Sequence, residues 1–253
     1  MGGHFSFADF SFFQWAIAFL CAFLIGLSKT GMSGAGIMVI PLMAMLFGGR
    51  MSTGVLLPML IMADVFAVTY YRRHGQWKYI FRLLPWALAG ILVGLTTGKN
   101  LDDALFKKII AGTVIVSLGI NIIQQSLLKY SQVVHRWWFT AFFGLLGGFS
   151  TMVGNSAGPV MNVYLISMDL PKTVFVGTAA WFFAIVNVLK LPLQWWGWNN
   201  ITRESLWFNA MMIPAIAAGC LTGIIFIKRI PETLFRYVIF MITAGGALYL
   251  LFS

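Results

Sequence analysis

The chain has 253 residues, of which 60% are hydrophobic and 9% are charged, and its mean hydropathy is +0.87. This composition excludes a water-soluble domain and predicts a polytopic membrane protein, a single membrane domain over residues 1–253. The formal net charge is +10, but the basic residues stand in short loops beside apolar runs, where they signal topology. We therefore expect a lipid bilayer around the chain and no nucleic-acid partner.

Ten apolar segments follow in chain order, five in each half. Each half is predicted to begin with two short helices around a glycine-rich stretch and to continue with three longer ones, so the predicted fold is all-α. The segments are 12–28, 32–48, 52–71, 83–98, 109–126, 137–153, 156–169, 173–192, 205–227 and 234–252. A spanning helix needs about 20 apolar residues, so each short pair is either re-entrant or fully spanning, and both alternatives stay open.

The two halves carry the same landmarks, which predicts an internal repeat over 12–126 and 137–252. The stretch "GLSKTGMSGAGIMVIP" (26–41) has a counterpart in "GFSTMVGNSAGPVMN" (148–162). A shift of 122 positions places Gly26, Ser28, Ala35 and Gly36 on Gly148, Ser150, Ala157 and Gly158. A shift of 129 positions places Pro85, Gly90 and Gly94 on Pro214, Gly219 and Gly223.

The charges of equivalent loops predict that the two repeats are inverted. Loop 71–82 contains three arginines and a lysine and no acidic residue, whereas its counterpart 194–205 contains Arg203 beside Glu204. The second loop also carries Trp195, Trp196 and Trp198, which are typical of a membrane interface. The positive-inside rule then places 71–82 and 228–236 in the cytoplasm.

Glycine-interrupted segments at matching places in inverted halves predict a substrate site near the membrane midplane. Lys29 adds a positive charge there, which is costly in a membrane unless it faces a cavity or a partner. Hydroxyl and amide donors stand at the same breaks: Ser28, Thr30, Ser33, Ser150, Thr151, Asn155 and Ser156. These features favour an anion site. In the alternative interpretation Lys29 snorkels to the interface, the glycines serve packing and the polar residues cap helices.

Two further ionisable residues lie within apolar segments. Asp64 either pairs with a cation such as Lys29, carries a coupling proton, or faces water near a segment end. A shift of 123 positions places Asn187 on Asp64. Lys190 is expected near an interface, with a role in the pocket as the alternative.

No constellation of acid, base and nucleophile and no metal-ligand spacing stands in these segments. We expect neither an enzyme nor a bound cofactor or metal. Nothing in the sequence determines the oligomeric state, and a homodimer is our expectation.

Four stretches resemble the TauE/SafE family of sulfite exporters and related permeases over nearly the whole chain. They are "GLSKTGMSGAGIMVIPL", "GGFSTMVGNSAGPVMNVYL", "LPKTVFVGTAAWFFAIVNVLKLP" and the repeated "LFK" and "LFR" segments. The resemblance implies a multi-pass protein of the bacterial inner membrane that transports small sulfur-containing anions such as sulfite, thiosulfate, sulfoacetate or organosulfonates. We expect export by alternating access, with proton-coupled uptake or an anion channel as the alternatives.

The resemblance also implies which residues bind substrate. Two sets correspond to the breaks: Ser28, Lys29, Gly31, Gly34 and Gly36, and Thr151, Gly154, Asn155, Gly158 and Pro159. A third set would pack beside the substrate path: Thr178, Trp181 and Asn187.

Overall fold

A computed structural model describes residues 7, 10–31, 35–99, 101–127, 136–168, 170–226, 241 and 244–252. The described residues form helices and no strand, which confirms the all-α prediction. The helices are α1 (Phe12–Thr30), α2 (Ala35–Phe47), α3 (Gly49–Tyr71), α4 (Trp77–Lys99), α5 (Asp103–Leu127), α6 (Trp137–Gly154), α7 (Gly158–Ile166), α8 (Lys172–Pro192), a π-helical extension of α8 (Leu193–Trp198) and α9 (Arg203–Phe226). Residues 244–252 are also helical.

Helices α4 and α5 each begin six residues before the predicted boundary, so the predictions of 83 and 109 are wrong. The ring of Trp77, the first residue of α4, lies 5.0 Å from that of Trp181 and 5.7 Å from that of Phe81. At the start of α5, Leu105 N donates a hydrogen bond of 2.8 Å to Asp102 Oδ1, which caps the helix. Charged residues thus belong to helical turns, and the loop between α3 and α4 shortens to 72–76.

Five helices in the described part of the chain are long and apolar enough to cross a membrane. They are Phe12–Thr30, Gly49–Tyr71, Trp77–Lys99, Thr173–Trp198 and Arg203–Ile225. The protein is therefore a multi-pass membrane protein. At 1.5 Å per residue, α2 and α7 are about 20 Å and 14 Å long, too short to cross a hydrocarbon core of about 30 Å.

The helices of the two halves pack across each other. Helix α1 packs against α9, and α6 packs against α4. Glycines allow both contacts, because a Cβ atom on Gly26 would overlap Ile216 O and one on Gly148 would overlap Ala87 O. The partner helices contribute Gly219 and Gly90. A Cβ atom added to Gly219 would overlap Phe23 O, and one added to Gly90 would overlap Leu145 O. Each pair of helices thus approaches backbone to backbone.

Helices α3 and α8 pack against each other, α3 also contacts α1 and α9, and α8 also contacts α4. The contact of α3 with α8 brings together Asp64 and Asn187, the two residues that a shift of 123 positions superimposes. The outer surface is rich in exposed apolar side chains, such as Phe12 (91% exposed) and Trp196 (75% exposed), as expected for a surface that faces lipid.

Candidate functional site

The first helix break lies between α1 and α2. Helix α1 ends at Thr30, and the amide of Gly31 donates a hydrogen bond of 3.1 Å to Leu27 O. The chain resumes as α2 at Ala35. Lys29 stands in the last turn of α1, where a cation interacts favourably with the negative end of the helix dipole. The predicted site residues Ser33 and Gly34 lie outside the described residues.

The second break, between α6 and α7, is closed by a left-handed residue. Asn155 follows the last residue of α6 with φ of 52°, a conformation that asparagine adopts more readily than most residues. Its amide donates to Thr151 O at 3.1 Å, and the amide of Ser156 donates to Ser150 O at 3.2 Å. Helix α7 then begins at Gly158.

A cavity of about 110 Å³ lies between the two breaks. One water needs roughly 10–15 Å³ by the same measure, so the space suits a small anion of a few heavy atoms. Its polar lining is Ser28, Lys29, Thr151, Asn155, Ser156, Asn162 and Asn187. The remaining wall is mainly apolar and includes Ile25, Ile37, Ile40, Leu56, Leu60, Phe175 and Phe183.

The first turns of both short helices also line the cavity. Helix α2 contributes Gly36 and Ile37, and α7 contributes Gly158 and Pro159. A helix N-terminus carries unpaired N–H groups and the positive end of the dipole, which together favour an anion. A Cβ atom on Gly158 would meet nothing within 4 Å, so the backbone there is open to a ligand.

Lys29 and Asp64 form an ion pair beside the cavity. Lys29 Nζ lies 2.7 Å from Asp64 Oδ1, and the side chains are 14% and 1% exposed. The same ammonium stands 4.4 Å from the centroid of the Phe183 ring, a cation–π contact. Of the alternatives for these two residues, the structure shows the ion pair, and Asp64 does not face water.

Hydrogen bonds extend from this ion pair to the second break. Asn187 Nδ2 donates to Asp64 Oδ2 at 2.6 Å. Lys190 Nζ donates to Asn187 Oδ1 at 3.3 Å, to Asn155 Oδ1 at 2.6 Å and to Thr151 Oγ1 at 3.0 Å. We call the six residues Lys29, Asp64, Thr151, Asn155, Asn187 and Lys190 the polar network. It connects the two breaks through α3 and α8.

Two residues near the end of α8 are buried. Lys190 is 0% exposed, and the π-helical extension continues the helix beyond it to Trp198. Trp198, expected at the interface, is 6% exposed, and its indole N–H donates to Leu95 O at 3.0 Å. The pocket alternative therefore describes Lys190 better. No local pattern in the sequence predicts that Lys190 contacts Thr151 and Asn155.

The structure brings most of the predicted site residues to the cavity wall: Ser28, Lys29, Gly31, Gly36, Thr151, Asn155, Ser156, Gly158, Pro159 and Asn187. Thr30 and Gly154 do not line the cavity as the structure describes it. The hydroxyl of Thr30 donates to Cys220 O at 2.8 Å and so fastens α1 to α9. Gly154 is buried, and a Cβ there would lie 3.0 Å from Thr113 Oγ1.

Thr178 and Trp181 lie on α8 but face the loop 72–76 instead of the cavity. The hydroxyl of Thr178 accepts a hydrogen bond of 3.0 Å from Gln76 N. The indole N–H of Trp181 donates to Arg72 O at 3.3 Å. These two residues hold the loop 72–76 against α8. A direct contact of either one with substrate stays a prediction.

No three His, Cys, Asp or Glu side chains in the described part of the chain come close enough together to hold a metal ion. The chemistry of the cavity comes instead from ammonium, amide, hydroxyl and backbone N–H donors. A ligand that accepts hydrogen bonds and carries negative charge matches this set.

Membrane-spanning helices around a cavity that residues of both helix breaks line define a polytopic membrane protein. The family model for the sulfite exporter TauE/SafE matches residues 18–250, and the chain belongs to this family. This confirms the resemblance drawn from the sequence motifs. No curated protein and no solved structure matches the chain.

Proposed function

We propose that this protein transports small sulfur-containing anions, namely sulfite, thiosulfate or an organosulfonate, across the bacterial inner membrane. The observation that carries the proposal is that Lys29 from one break and Asn155 from the other line one cavity. The family description supports a sulfite-type anion as the substrate.

The lining groups suit the chemistry of sulfur oxyanions. Such an anion presents several oxygens that accept hydrogen bonds, and Lys29 and Asn162 supply donors on the wall. The apolar part of the wall can contact the carbon chain of an organosulfonate. Hydrogen bonds to an ionised partner are about twice as strong as neutral ones, so a buried anion can be held without a metal.

The proposed mechanism is alternating access between inverted halves, with 71–82 and 228–236 on the cytoplasmic side. The anion binds near the midplane between the breaks, and the halves rock about it. A membrane potential that is negative inside favours efflux of a monovalent anion by about 2.3 kcal/mol per 100 mV, so export needs no coupling ion. The ion pair of Asp64 with Lys29 supports this direction, because it gives the carboxylate a structural role.

Proton-coupled uptake is the second candidate. Asp64 is 1% exposed within α3, and a buried intramembrane carboxylate is a common proton carrier. Uptake against the potential would require a proton gradient, whereas export would not. An anion channel would differ from both candidates in a flux that does not saturate with substrate.

The test is the flux of radiolabelled sulfite in proteoliposomes that hold the purified full-length protein, with the potential set by a potassium gradient and the proton gradient varied separately. We expect saturable flux that follows the potential without a proton gradient. A requirement for a proton gradient would favour the uptake candidate. No flux of sulfite, thiosulfate or methanesulfonate under either gradient would overturn the proposed function.

A pair of asparagine variants tests the position of the site. Asn155 and Asn199 are both left-handed residues that end helices, with φ of 52° and 49°, but only Asn155 is among the cavity-lining residues that the structure describes. Asn155→Gly removes the amide without backbone strain and should reduce kcat/KM about tenfold to a hundredfold, the effect of losing a hydrogen bond to a charged group. Asn199→Gly should leave transport unchanged. Equal effects of the two variants would contradict a site at the second break.

A further inference from the structure

With both lysines protonated, the polar network holds two positive charges and one negative charge. Lys29 and Asp64 form a pair whose charges cancel. Lys190 lies at the other end of the network, separated from Asp64 by Asn187, and its contacts there are neutral oxygens. Among the described residues that line the cavity, only Lys29 is charged. With both lysines protonated, the network and the cavity wall together have a net charge of +1.

The contacts of Lys190 fit a charged ammonium group. Its Nζ lies within hydrogen-bond distance of three acceptors, which belong to Thr151, Asn155 and Asn187. An ammonium has three N–H donors, and these three oxygens can accept all of them. The side chain is 0% exposed, so water does not compensate its charge. A buried charge without an opposite charge is costly, and an anion in the cavity next to Thr151 and Asn155 would supply the opposite charge.

We propose that this charge balance makes the cavity selective for singly charged anions, and that the carboxylate of Asp64 is the specificity-determining group that sets the valence. The inference rests on the proposed function and deepens it. The favoured substrates are hydrogensulfite and monovalent organosulfonates, while the doubly charged sulfite and thiosulfate ions are disfavoured. Asp64 acts through Lys29 without contacting the anion: it neutralises one of the two lysines and so leaves one positive charge for the substrate.

The low polarity of the surroundings strengthens this selection. A monovalent anion makes the loaded network electrically neutral, which lowers the cost of holding it inside the membrane. A divalent anion would leave an excess negative charge in the same buried place, next to the Asp64 carboxylate. Hydrogen-bond donors alone would not discriminate in this way, because sulfonate and thiosulfate both offer several oxygens.

The equivalence of Asp64 and Asn187 offers a matched pair of variants. Asp64→Asn removes the carboxylate and raises the net charge of the network to +2. The double variant Asp64→Asn with Asn187→Asp restores the net charge of +1, because it moves the carboxylate across the 2.6 Å hydrogen bond from α3 to α8. In the double variant the carboxylate is placed beside Lys190 instead of Lys29.

The experiment compares methanesulfonate with thiosulfate as ³⁵S-labelled substrates in proteoliposomes, with the membrane potential clamped at zero so that valence does not change the driving force. We expect the wild-type protein to favour methanesulfonate in kcat/KM. Asp64→Asn should shift the ratio of the two kcat/KM values toward thiosulfate by about tenfold or more, as expected for a change of one nearby buried charge. The double variant should return the ratio toward the wild-type value. Where Asp64→Asn yields no folded protein, Lys190→Gln replaces it and should raise KM for both anions, most for thiosulfate.

The outcomes separate the inference from the proposed function. If the wild-type protein moves neither anion, nor hydrogensulfite, the proposed function fails and the inference fails with it. If it transports anions but Asp64→Asn leaves the ratio unchanged, or Lys190→Gln affects the two anions equally, the valence inference is overturned and the proposed function stands. A ratio that shifts in Asp64→Asn and stays shifted in the double variant also overturns it, because net charge would then not be the cause.

Discussion

At each of the two helix breaks a longer helix is followed by a short one, but the breaks differ in their charges. In both, a long helix ends, a short helix begins, and the gap opens on the same cavity. The first break has Lys29 where the second has Thr151, and the helix packed beside it has Asp64 where the other has Asn187. The second break receives its cation from Lys190 on α8.

This difference distinguishes the residues that serve helix packing from the residues that give the cavity its charge. The glycines at the crossings of α1 with α9 and of α6 with α4 occur in both halves because each crossing brings backbone against backbone. The ionisable residues Lys29, Asp64 and Lys190 each occur in one half only. The glycines at the helix crossings thus agree with the proposed repeat, whereas the ionisable residues differ between the two halves.

The largest expected effect is a difference in stability between two lysine variants. Lys29→Met leaves Asp64 buried without its cation and should cost about 3–5 kcal/mol in free energy of unfolding. Lys190→Met leaves only neutral acceptors unpaired and should cost about 1–3 kcal/mol. Equilibrium unfolding in detergent measures both.

A double variant identifies the cause of that difference. Lys29→Met with Asp64→Leu removes the stranded charge and should recover most of the stability lost in Lys29→Met alone. If the double variant is no more stable than Lys29→Met, the ion pair is not what makes the first break more sensitive.

The crossing of α1 with α9 and the crossing of α6 with α4 should lose similar amounts of stability when a glycine is replaced by alanine. Gly26→Ala and Gly148→Ala each place a Cβ against a backbone carbonyl oxygen and should destabilise the protein by similar amounts, about 1–3 kcal/mol. The matched control is Gly112→Ala on α5, where a Cβ meets nothing within 4 Å and the helix should gain up to about 1 kcal/mol. Thermal unfolding midpoints compare the three, and a cost confined to one crossing would contradict a duplicated scaffold.

The smallest expected effect on stability is at the second break. Gly158→Ala adds a methyl group in open space and should change the free energy of unfolding by less than about 0.5 kcal/mol. The methyl group narrows the cavity, so binding of an organosulfonate should weaken by about 1 kcal/mol, and binding of sulfite by less. Calorimetric titration measures both ligands. At the first break, Gly36→Ala brings a Cβ to 3.0 Å from Ser28 Oγ and should also disturb that side chain.

The sequence signals that point to the cavity are local. The glycine-rich stretches and Lys29 stand within apolar segments, where glycine weakens a helix and a buried charge is costly. The cavity lies between the two stretches. The order of the first nine segments was likewise readable from hydropathy, and of the tenth, 234–252, the structure describes residues 241 and 244–252 as helical. The ends of the helices were harder to predict, because charged residues such as those in 77–82 form the first turns of α4 where hydropathy predicts a loop.

Lys190 shows why the rest of the site could not be predicted. A lysine followed by a proline and several tryptophans is typical of a helix end at the interface. The helix instead continues through Pro192 into a π-helical turn, and the side chain points to Asn155 and Thr151, some 35 and 39 positions away in the sequence. Only the packing of α8 against the second break creates that contact.

We propose that the two breaks form one anion site. Isothermal titration of the purified protein with sulfite tests it most directly, with Lys29→Gln and Asn155→Gly measured beside the wild type. We predict one bound anion per chain in the wild type and a strong loss of affinity for that same site in both variants. Two independent sites, or a variant of either break that binds sulfite as the wild type does, would contradict the account.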